Sequence, residues 1–521
     1  MSDHKIQSPN RRILLAGAAL MGITSGLLPD SVKAQSQPKR GGHVRYGVRG
    51  GSTTDTLNPT TYSNSFTRTL GYAFCNTLTE IDANNTLRPE LLQSYEAEPG
   101  AKTWIFKLRS GIVFHNGKPL TSTDVMASIN LHRGDDSKSP VKSLLAGIQS
   151  MKAEDAHTIR FELTEGNADF PYIFSDFHIM IVPEKDGLAD WASGIGTGAY
   201  VIKSFEPGVR AQVERNPNYW RKDRAFFDSA DIIVMADATA RQNALITGGL
   251  DVIDQVDLKT VHLLKRSPNV DVVNTSGGLY YNYAMNTTLA PFNNPDVRLA
   301  LKYGIDREAL LQKVLRGYGK IGNDQPISST TKFFAADVEQ RKYDPDQAKF
   351  HLKKAGLDSL STSLSASDML YPGAVDGITI YRESLAPAGI NLDVVREPSD
   401  GYFSSVWMKK PFTASYWAPR PTADLIFSTT YLSTAKWNDT FWKNERFDNV
   451  LLAARSELDE AKRAEMYREL QLLVRDDGGN VIPLFADHVF AMSSQIGHSD
   501  TMSGVWELDG GRSLERWWRK G

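Results

Sequence analysis

Hydrophobic and polar positions change their period several times along the chain, which predicts a mixture of strands and helices. Thr158–Leu163 alternates apolar and polar residues, as expected for a half-buried strand. Glu457–Asp476 instead places its apolar residues on one stripe, which is typical of an amphipathic helix. Both patterns recur throughout the chain, so we predict an α/β fold with several sheets.

Capping and turn residues predict where some of these helices and strands begin or end. Thr121 and Asp124 form a Thr-x-x-Asp capping box, which predicts a helix start. Asn294 followed by Pro295 predicts another start, because proline is favoured in the first helical turn. We also predict a helix over 68–78 and a short strand over 113–115 that ends at a tight Asn-Gly turn.

The length and composition exclude several classes of protein. A chain of 521 residues is too long for one hydrophobic core and predicts two or three domains. Its net charge of −2 does not favour binding to nucleic acid or to an anionic membrane. Cys75 is the single cysteine of the sequence, which rules out a disulfide framework and a thiolate metal cluster.

The first 34 residues have the pattern of a removable signal peptide. A polar start leads to Arg11-Arg12 and then to the apolar run Ile13–Leu28, which is shorter than the roughly 20 residues that span a bilayer. The arginine pair is typical of a twin-arginine signal, with a Sec signal as the alternative. We predict cleavage after Ala34 and a soluble periplasmic protein, since no later run is apolar enough to cross a membrane.

One stretch has the composition of a ligand-binding loop. Tyr416–Asp424 contains two prolines, Pro419 and Pro421, which fit neither a helix interior nor a central strand. Aromatic residues precede them, and Arg420 adds a charge. A stiff loop with aromatic walls suits a pocket for a small polar ligand. A surface turn packed on a tryptophan-rich core explains the same pattern.

Most catalytic signatures are absent from the sequence. It contains no His-Glu-x-x-His, no Gly-x-Ser-x-Gly and no zinc-binding Cys/His spacing. Gly317–Gly322 matches a dinucleotide motif, but it follows a predicted helix rather than a strand. We therefore expect no catalytic residue, no metal and no cofactor. Thr53 and Thr54, in a Gly/Thr-rich turn, could line a binding cleft or simply connect a strand to a helix.

Several blocks in order resemble one protein family. The chain is similar to the family 5 extracellular solute-binding proteins, the dipeptide- and oligopeptide-binding components of ABC importers. The blocks that carry the resemblance are Thr103–Val125, Gly196–Tyr200 (with Ala199 for the usual proline), Asn216–Trp220, Gly248–Val252, and Asn286 through Pro291-Phe292 to Arg307.

This resemblance implies a two-lobed periplasmic-binding-protein fold of type II, with an extra subdomain in lobe I. Lobe I would comprise residues 36–283 and 496–521, with the subdomain at about 85–210. Lobe II would comprise residues 284–495, and hinge crossings would lie at Leu279–Asn286 and Val489–Ser494. The ABC permease and ATPase would be other chains, and the binding protein itself a monomer.

The resemblance also implies which residues bind the solute. Peptide binders of the family carry a Gly-Trp-x-x-Asp run whose aspartate holds the peptide ammonium. Here that run is Tyr416, Trp417, Ala418, Pro419 and Arg420, so an arginine stands in the aspartate position. Arginine repels an ammonium and can bind a carboxylate.

Further candidates surround this run. Asp424 could take over the ammonium. Trp437-Asn438 resembles a Trp-Asn pair near the cleft in a subgroup of the family, although core packing explains it equally well. We add the flanking Tyr402 and the turn residues Thr53 and Thr54.

Three functions are compatible with these observations. The first is periplasmic capture of a peptide or peptide-like amino acid derivative for import. The second is the same role for an opine-like carboxylate, a sugar or a metal chelate, and the third is a secreted hydrolase. For the first two we expect Arg420 and Asp424 to face the cleft between the lobes.

Overall fold

The computed structural model describes residues 38–520, so the predicted signal peptide lies outside the described residues. None of the helices among these residues combines the length and the apolar character needed to cross a membrane. The α-helices are α1 Ser65–Phe74, α2 Ser122–Asn130, α3 Lys142–Leu145, α4 Phe170–Ile173, α5 Ala238–Ile246, α6 Val261–Leu264, α7 Pro295–Tyr303, α8 Arg307–Val314, α9 Pro345–Lys354, α10 Ala374–Leu385, α11 Tyr402–Ser405, α12 Ala423–Thr430, α13 Glu445–Ser456, α14 Glu460–Asp477, α15 Glu507–Gly510 and α16 Ser513–Arg516.

Strands occur along the whole described chain, as the alternating pattern predicted. They are β1 His43–Val48, β2 Thr79–Ile81, β3 Leu87–Pro89, β4 Leu92–Ala97, β5 Thr103–Leu108, β6 Ile148–Asp155, β7 Thr158–Leu163, β8 Glu184–Lys185, β9 Leu188–Ala189, β10 Tyr200–Glu206, β11 Arg210–Arg215, β12 Ser229–Val234, β13 Val252–Ile253, β14 Val270–Met285, β15 Gly319–Ile321, β16 Leu360–Ala366, β17 Ile390–Arg396, β18 Phe412–Trp417, β19 Asn480–Ser493, β20 Ile496–Gly497 and β21 Trp518–Arg519.

One large mixed sheet runs through the molecule. Its strand order is β10-β11-β12-β1-β13-β19-β14-β18-β16-β17, and β15 pairs with β19 off this path. The half from β10 to β13 covers one hydrophobic core, which includes Tyr46, Phe66 and Phe490. The half from β18 to β17 covers another, which includes Leu301 and Leu364. A separate four-stranded sheet, β4-β5-β7-β6, has a core of its own.

The two halves of the large sheet are joined by its longest strands, β14 and β19. They pair with each other, and each also pairs with one half, because β19 pairs with β13 and β14 pairs with β18. Their antiparallel register runs from Val270 opposite Ser493 to Ala284 opposite Asn480. This ladder positions the candidate loop, since Trp417 at the end of β18 lies opposite Tyr280 of β14.

The register of the ladder shifts at two places, and the wider shift is a bulge in β14. Thr275 pairs with His488 and Leu279 pairs with Ala486, so three residues of β14 face the single residue Asp487 of β19. The three residues are Ser276, Gly277 and Gly278. Glycine suits this place because a Cβ on Gly277 would lie 2.9 Å from the carbonyl oxygen of Ala486.

The C-terminal segment returns to the first half and is held there by buried ion pairs. Arg512 contacts Glu90 at 2.7 Å and Glu515 at 3.3 Å, and all three side chains are buried. Arg516 contacts Glu80 at 3.5 Å, and Arg221 also contacts Glu80 at 3.0 Å. Burial alone would raise the pKa of Glu80, but the surrounding arginines lower it below its ordinary range.

Several local predictions are confirmed and two need correction. The strand Thr158–Leu163 has the predicted bounds, and both hydrogen bonds of the Thr121–Asp124 capping box are present. The residues 113–115 form no strand, since Val113 makes only an isolated bridge to Pro119. The helix predicted over 68–78 begins earlier, because the Asn64 side chain accepts from the Thr67 amide and caps α1.

The buried network makes a prediction for stability. In the R512M variant, the buried Glu90 loses its ion-pair partner and the buried Glu515 keeps the longer contact with Arg224 at 3.6 Å, so the free energy of unfolding should fall by about 3–5 kcal/mol. Urea titration followed by circular dichroism measures this change.

R210M is the matched control for this experiment. Arg210 contacts Glu206 at 3.8 Å, and both side chains are largely exposed, so the loss should stay within about 0.5 kcal/mol. Equal stability of R512M and R210M would show that the C-terminal ion pairs do not stabilise the fold.

Candidate functional site

The candidate loop links a central strand to a helix at the junction of the two halves. Strand β18 ends at Trp417, and the two prolines that follow, Pro419 and Pro421, cannot continue its hydrogen bonding. Thr422 then caps α12, because its hydroxyl oxygen accepts from the Leu425 amide at 3.2 Å. The loop is therefore fixed at both ends.

Arg420 lines a small cavity with walls from both halves. The cavity measures about 30 Å³, and its lining is Ile81, Asn85, Tyr172, Gly504 and Val505 on one side and Gly278, Thr330, Thr331, Lys332, Pro419, Arg420 and Pro421 on the other. This volume holds about one water molecule. A solute would need the two halves to part.

The Arg420 guanidinium has no acidic partner among the described residues. Its hydrogen bonds go to the carbonyl oxygens of Ala418 at 3.3 Å and Pro419 at 3.2 Å. Burial lowers the pKa of Arg420 below its ordinary value, because a charged group loses hydration there. A half-buried arginine that donates only to neutral oxygens can still accept an anionic partner.

Asp424 does not line that cavity and already has a cation partner. It lies in the first turn of α12, is buried, and accepts from Arg455 Nε at 3.1 Å. Burial raises the pKa of Asp424 to about 6, against the opposing effect of Arg455. The structure thus separates the two charges that the sequence placed four residues apart.

The aromatic candidates form a chain of ring contacts with graded exposure. Trp417 is buried and lies 6.2 Å from Trp437, whose side chain is 51% exposed. Trp417 also lies 6.1 Å from Trp407, and Phe403 links Trp407 to the exposed Tyr416.

The remaining candidates fall in different surroundings. Tyr402 is fully buried in the core of the second half, with its hydroxyl donating to the carbonyl oxygens of Ser365 and Ala414. Asn438 is buried and donates to the carbonyl of Trp442 at 2.7 Å. Thr53 and Thr54 are exposed in the turn after β1, and neither lines the Arg420 cavity.

Asp439 is a residue that the sequence reasoning missed. It is buried below the loop and accepts from the Trp417 indole at 3.2 Å, from Asn282 at 3.1 Å and from Asn480 at 3.2 Å. Burial raises the pKa of the Asp439 carboxyl, because the charged form loses hydration. The hydrogen bonds from these three neutral donors oppose the shift without cancelling it. Asp439 fixes the Trp417 ring, although no sequence motif marks it.

A second missed feature joins the region of the four-stranded sheet to α13 and α14. The Arg463 guanidinium of α14 lies 2.8 Å from the Asp169 carboxylate, and both side chains are buried. The Ala168 amide donates to the carbonyl of Arg455 at 2.7 Å. The approach is tight, because a Cβ on Gly166 would lie 2.8 Å from the Cβ of Ser456.

One group of acids has the proximity of a metal site but not its chemistry. The carboxylates of Glu80, Glu90 and Glu515 lie within 4.8 Å of one another. Arginines contact all three, so a cation there would have to displace Arg512 and its neighbours.

The comparisons with known proteins agree on one family. The family model described as bacterial extracellular solute-binding proteins, family 5 middle, matches residues 86–439. The glutathione-binding protein GsiB of Escherichia coli O6:K15:H31 is 26% identical over 524 residues, covering 97% of this chain and 99% of GsiB.

Solved structures show the same fold. The unliganded open form of the periplasmic murein tripeptide binding protein MppA superposes with a TM-score of 0.81 at 18% identity, covering 93% of this chain and 99% of MppA. AgaA of A. tumefaciens R10, in complex with agropinic acid, has a TM-score of 0.72 at 22% identity, covering 92% and 99%. The fold is therefore that of the two-lobed periplasmic binding proteins.

The raised pKa of Asp424 predicts an unusual pH dependence. The folded value of about 6 exceeds the roughly 3.9 of an unfolded aspartate, so the folded protein binds more protons between these pH values. Relative to D424N, the wild type should therefore lose on the order of 2–3 kcal/mol of unfolding free energy as the pH rises from about 4 to about 6.

Urea unfolding of both proteins at several pH values tests this. The D424N variant also weakens the contact with Arg455. This lowers its unfolding free energy by a nearly constant amount and does not change how that free energy varies with pH. Parallel stability curves across this range would contradict the assignment.

Proposed function

Because this chain belongs to family 5 of the bacterial extracellular solute-binding proteins, we propose that it captures a peptide-like amino acid derivative bearing a carboxylate and delivers it to an ABC permease. The observation that carries the proposal is Arg420, a half-buried cation without an acidic partner in a cavity between the lobes. The role is binding, so we expect no turnover of the solute.

The chemistry of the relatives supports a carboxylate ligand. GsiB is named for glutathione and AgaA is bound to agropinic acid, both of which are carboxylate-bearing amino acid derivatives. An arginine in the family's aspartate position suits the carboxylate end of such a solute. Asp424 is engaged by Arg455, so we assign it a supporting role and not ammonium binding.

The proposed site combines Arg420 with the aromatic wall beside it. Trp417 and Ala418 lead into Arg420, while Tyr416 and Trp437 offer exposed rings at the edge of the loop. We leave Tyr402 and Asn438 in the supporting core, and we place Thr53 and Thr54 at the outer rim of the first lobe.

We further propose the domain limits and the site of action. Lobe I comprises 36–283 and 496–521, with the four-stranded sheet in a subdomain at about 85–210, and lobe II comprises 284–495. The protein acts as a periplasmic monomer after removal of residues 1–34. Export to the periplasm would place the protein where it meets its solute before import.

Capture proceeds by closure of the lobes. A ligand closes a cleft only when it binds the closed state more tightly than the open state. We infer that the arrangement in which the Asp169–Arg463 ion pair and the Ala168–Arg455 hydrogen bond are formed is the closed one. When the lobes part, both charged side chains regain water.

Arg420 provides the direct test of the ligand proposal. Native mass spectrometry of the protein purified from the periplasm should reveal a carboxylate-bearing solute, and calorimetry with that solute should show a Kd at least about tenfold higher for R420A. R382A is the matched control, since Arg382 is exposed on α10 of the same lobe. Equal affinities of R420A and R382A would refute the role of Arg420.

The closure contact makes a separate prediction. In R463M the Asp169 carboxylate would be buried without its cation in the closed state but hydrated in the open state. The ratio of open to closed molecules should rise about tenfold, which small-angle X-ray scattering detects as a larger radius of gyration. R468M is the control, because Arg468 of the same helix pairs with Asp337 of the same lobe at 2.7 Å.

A further inference from the structure

A second cavity lies beside the bulge of β14 and is larger than the one at Arg420. It measures about 380 Å³, within the size range of small-molecule sites. Its walls include Gly277, Lys320 of β15, Asp487 of β19 and the loop 323–340. It shares no lining residue with the Arg420 cavity, since Gly277 faces one cavity and Gly278 the other.

The charges around this cavity are not balanced among themselves. Lys320 donates to the Ser329 hydroxyl at 3.0 Å, and Asp487 accepts from the Asn274 amide at 2.6 Å. Among residues 38–520, none of Lys320, Asp487 and Glu339 makes an ion pair.

The fourth charged lining residue differs from these three. Asp337 already pairs with Arg468 at 2.7 Å. One free cation and two free acids therefore line the cavity.

Asp487 is the most enclosed of these free charges. The bulge opposes it with three residues, so it lacks the regular strand partner that its neighbours have. Burial raises the pKa of its carboxyl, while Lys320 opposes this shift. The two side chains face one space without pairing, which leaves room for a ligand that carries both charges.

We propose that this cavity is a second solute site, specific for a free basic amino acid. The ligand's α-ammonium would lie on Asp487, its carboxylate on Lys320 and its side-chain cation on Glu339. This pattern is the charge complement of the free lining groups, and each contact is a charge-assisted hydrogen bond. The site is independent of the carboxylate site at Arg420.

Calorimetry with L-lysine tests the proposal on the mature protein. L-lysine should bind with one-to-one stoichiometry, and D487N and K320M should each raise its Kd at least about tenfold. R420A should bind L-lysine like the wild type, which separates this site from the proposed transport site. D393N is the matched control, because Asp393 is an exposed aspartate of β17.

The choice among amino acids tests the role of Glu339. Norleucine lacks the side-chain cation of lysine but has a similar length, so the wild type should prefer L-lysine and E339Q should lose that preference. Melting curves of all variants verify that they are folded.

Two outcomes would overturn the inference. One is that L-lysine does not bind the wild type. The other is that R420A abolishes its binding while D487N and K320M retain it, which would place the amino acid in the Arg420 cavity.

Discussion

The antiparallel pairing of β14 with β19 is the interaction on which both lobes depend. Both strands lie in the middle of the large sheet, where β19 pairs with β13 of one half and β14 pairs with β18 of the other. Backbone hydrogen bonds cannot be given up inside a protein without cost, so this ladder holds the lobes in one register. The bulge of Ser276–Gly278 is the wider of two irregularities in the ladder, and both cavities lie against it. Local unpaired backbone beside two cavities is a suitable place for a change in the angle between the lobes.

The arginines of this protein show how the partner decides the role of a charge. Arg512 lies among buried glutamates and fixes the C-terminal segment, whereas Arg463 pairs with Asp169 across the proposed lobe boundary. Arg455 neutralises Asp424 behind the candidate loop. Arg420 differs because it donates only to carbonyl oxygens. The ligand proposal rests on that contrast, since an incompletely satisfied cation in a cleft favours an anionic partner.

Local features could be predicted from the sequence because their causes are local. The Thr121–Asp124 box and the strand Thr158–Leu163 depend on residues within one turn or one strand, and the structure has both. The candidate loop was found through its prolines and through the family resemblance. The partner of Asp424 could not be predicted, because Arg455 is 31 residues away in sequence. The contacts of Asp439 and the bulge opposite Asp487 could not be predicted for the same reason, because they form between segments that are distant in sequence.

The return of the C-terminal segment has a consequence for the order of folding. Arg512 bonds to Glu90 across 422 residues of chain, so the buried Glu90 lacks this counter-charge until residue 512 has been synthesised. Lobe II, whose proposed range is continuous in sequence, needs no such delay. Contacts between residues this far apart in sequence form late in folding, because closing the long intervening loop costs conformational entropy. A nascent chain that stops short of Arg512 would therefore present Glu90 without this partner to chaperones and proteases.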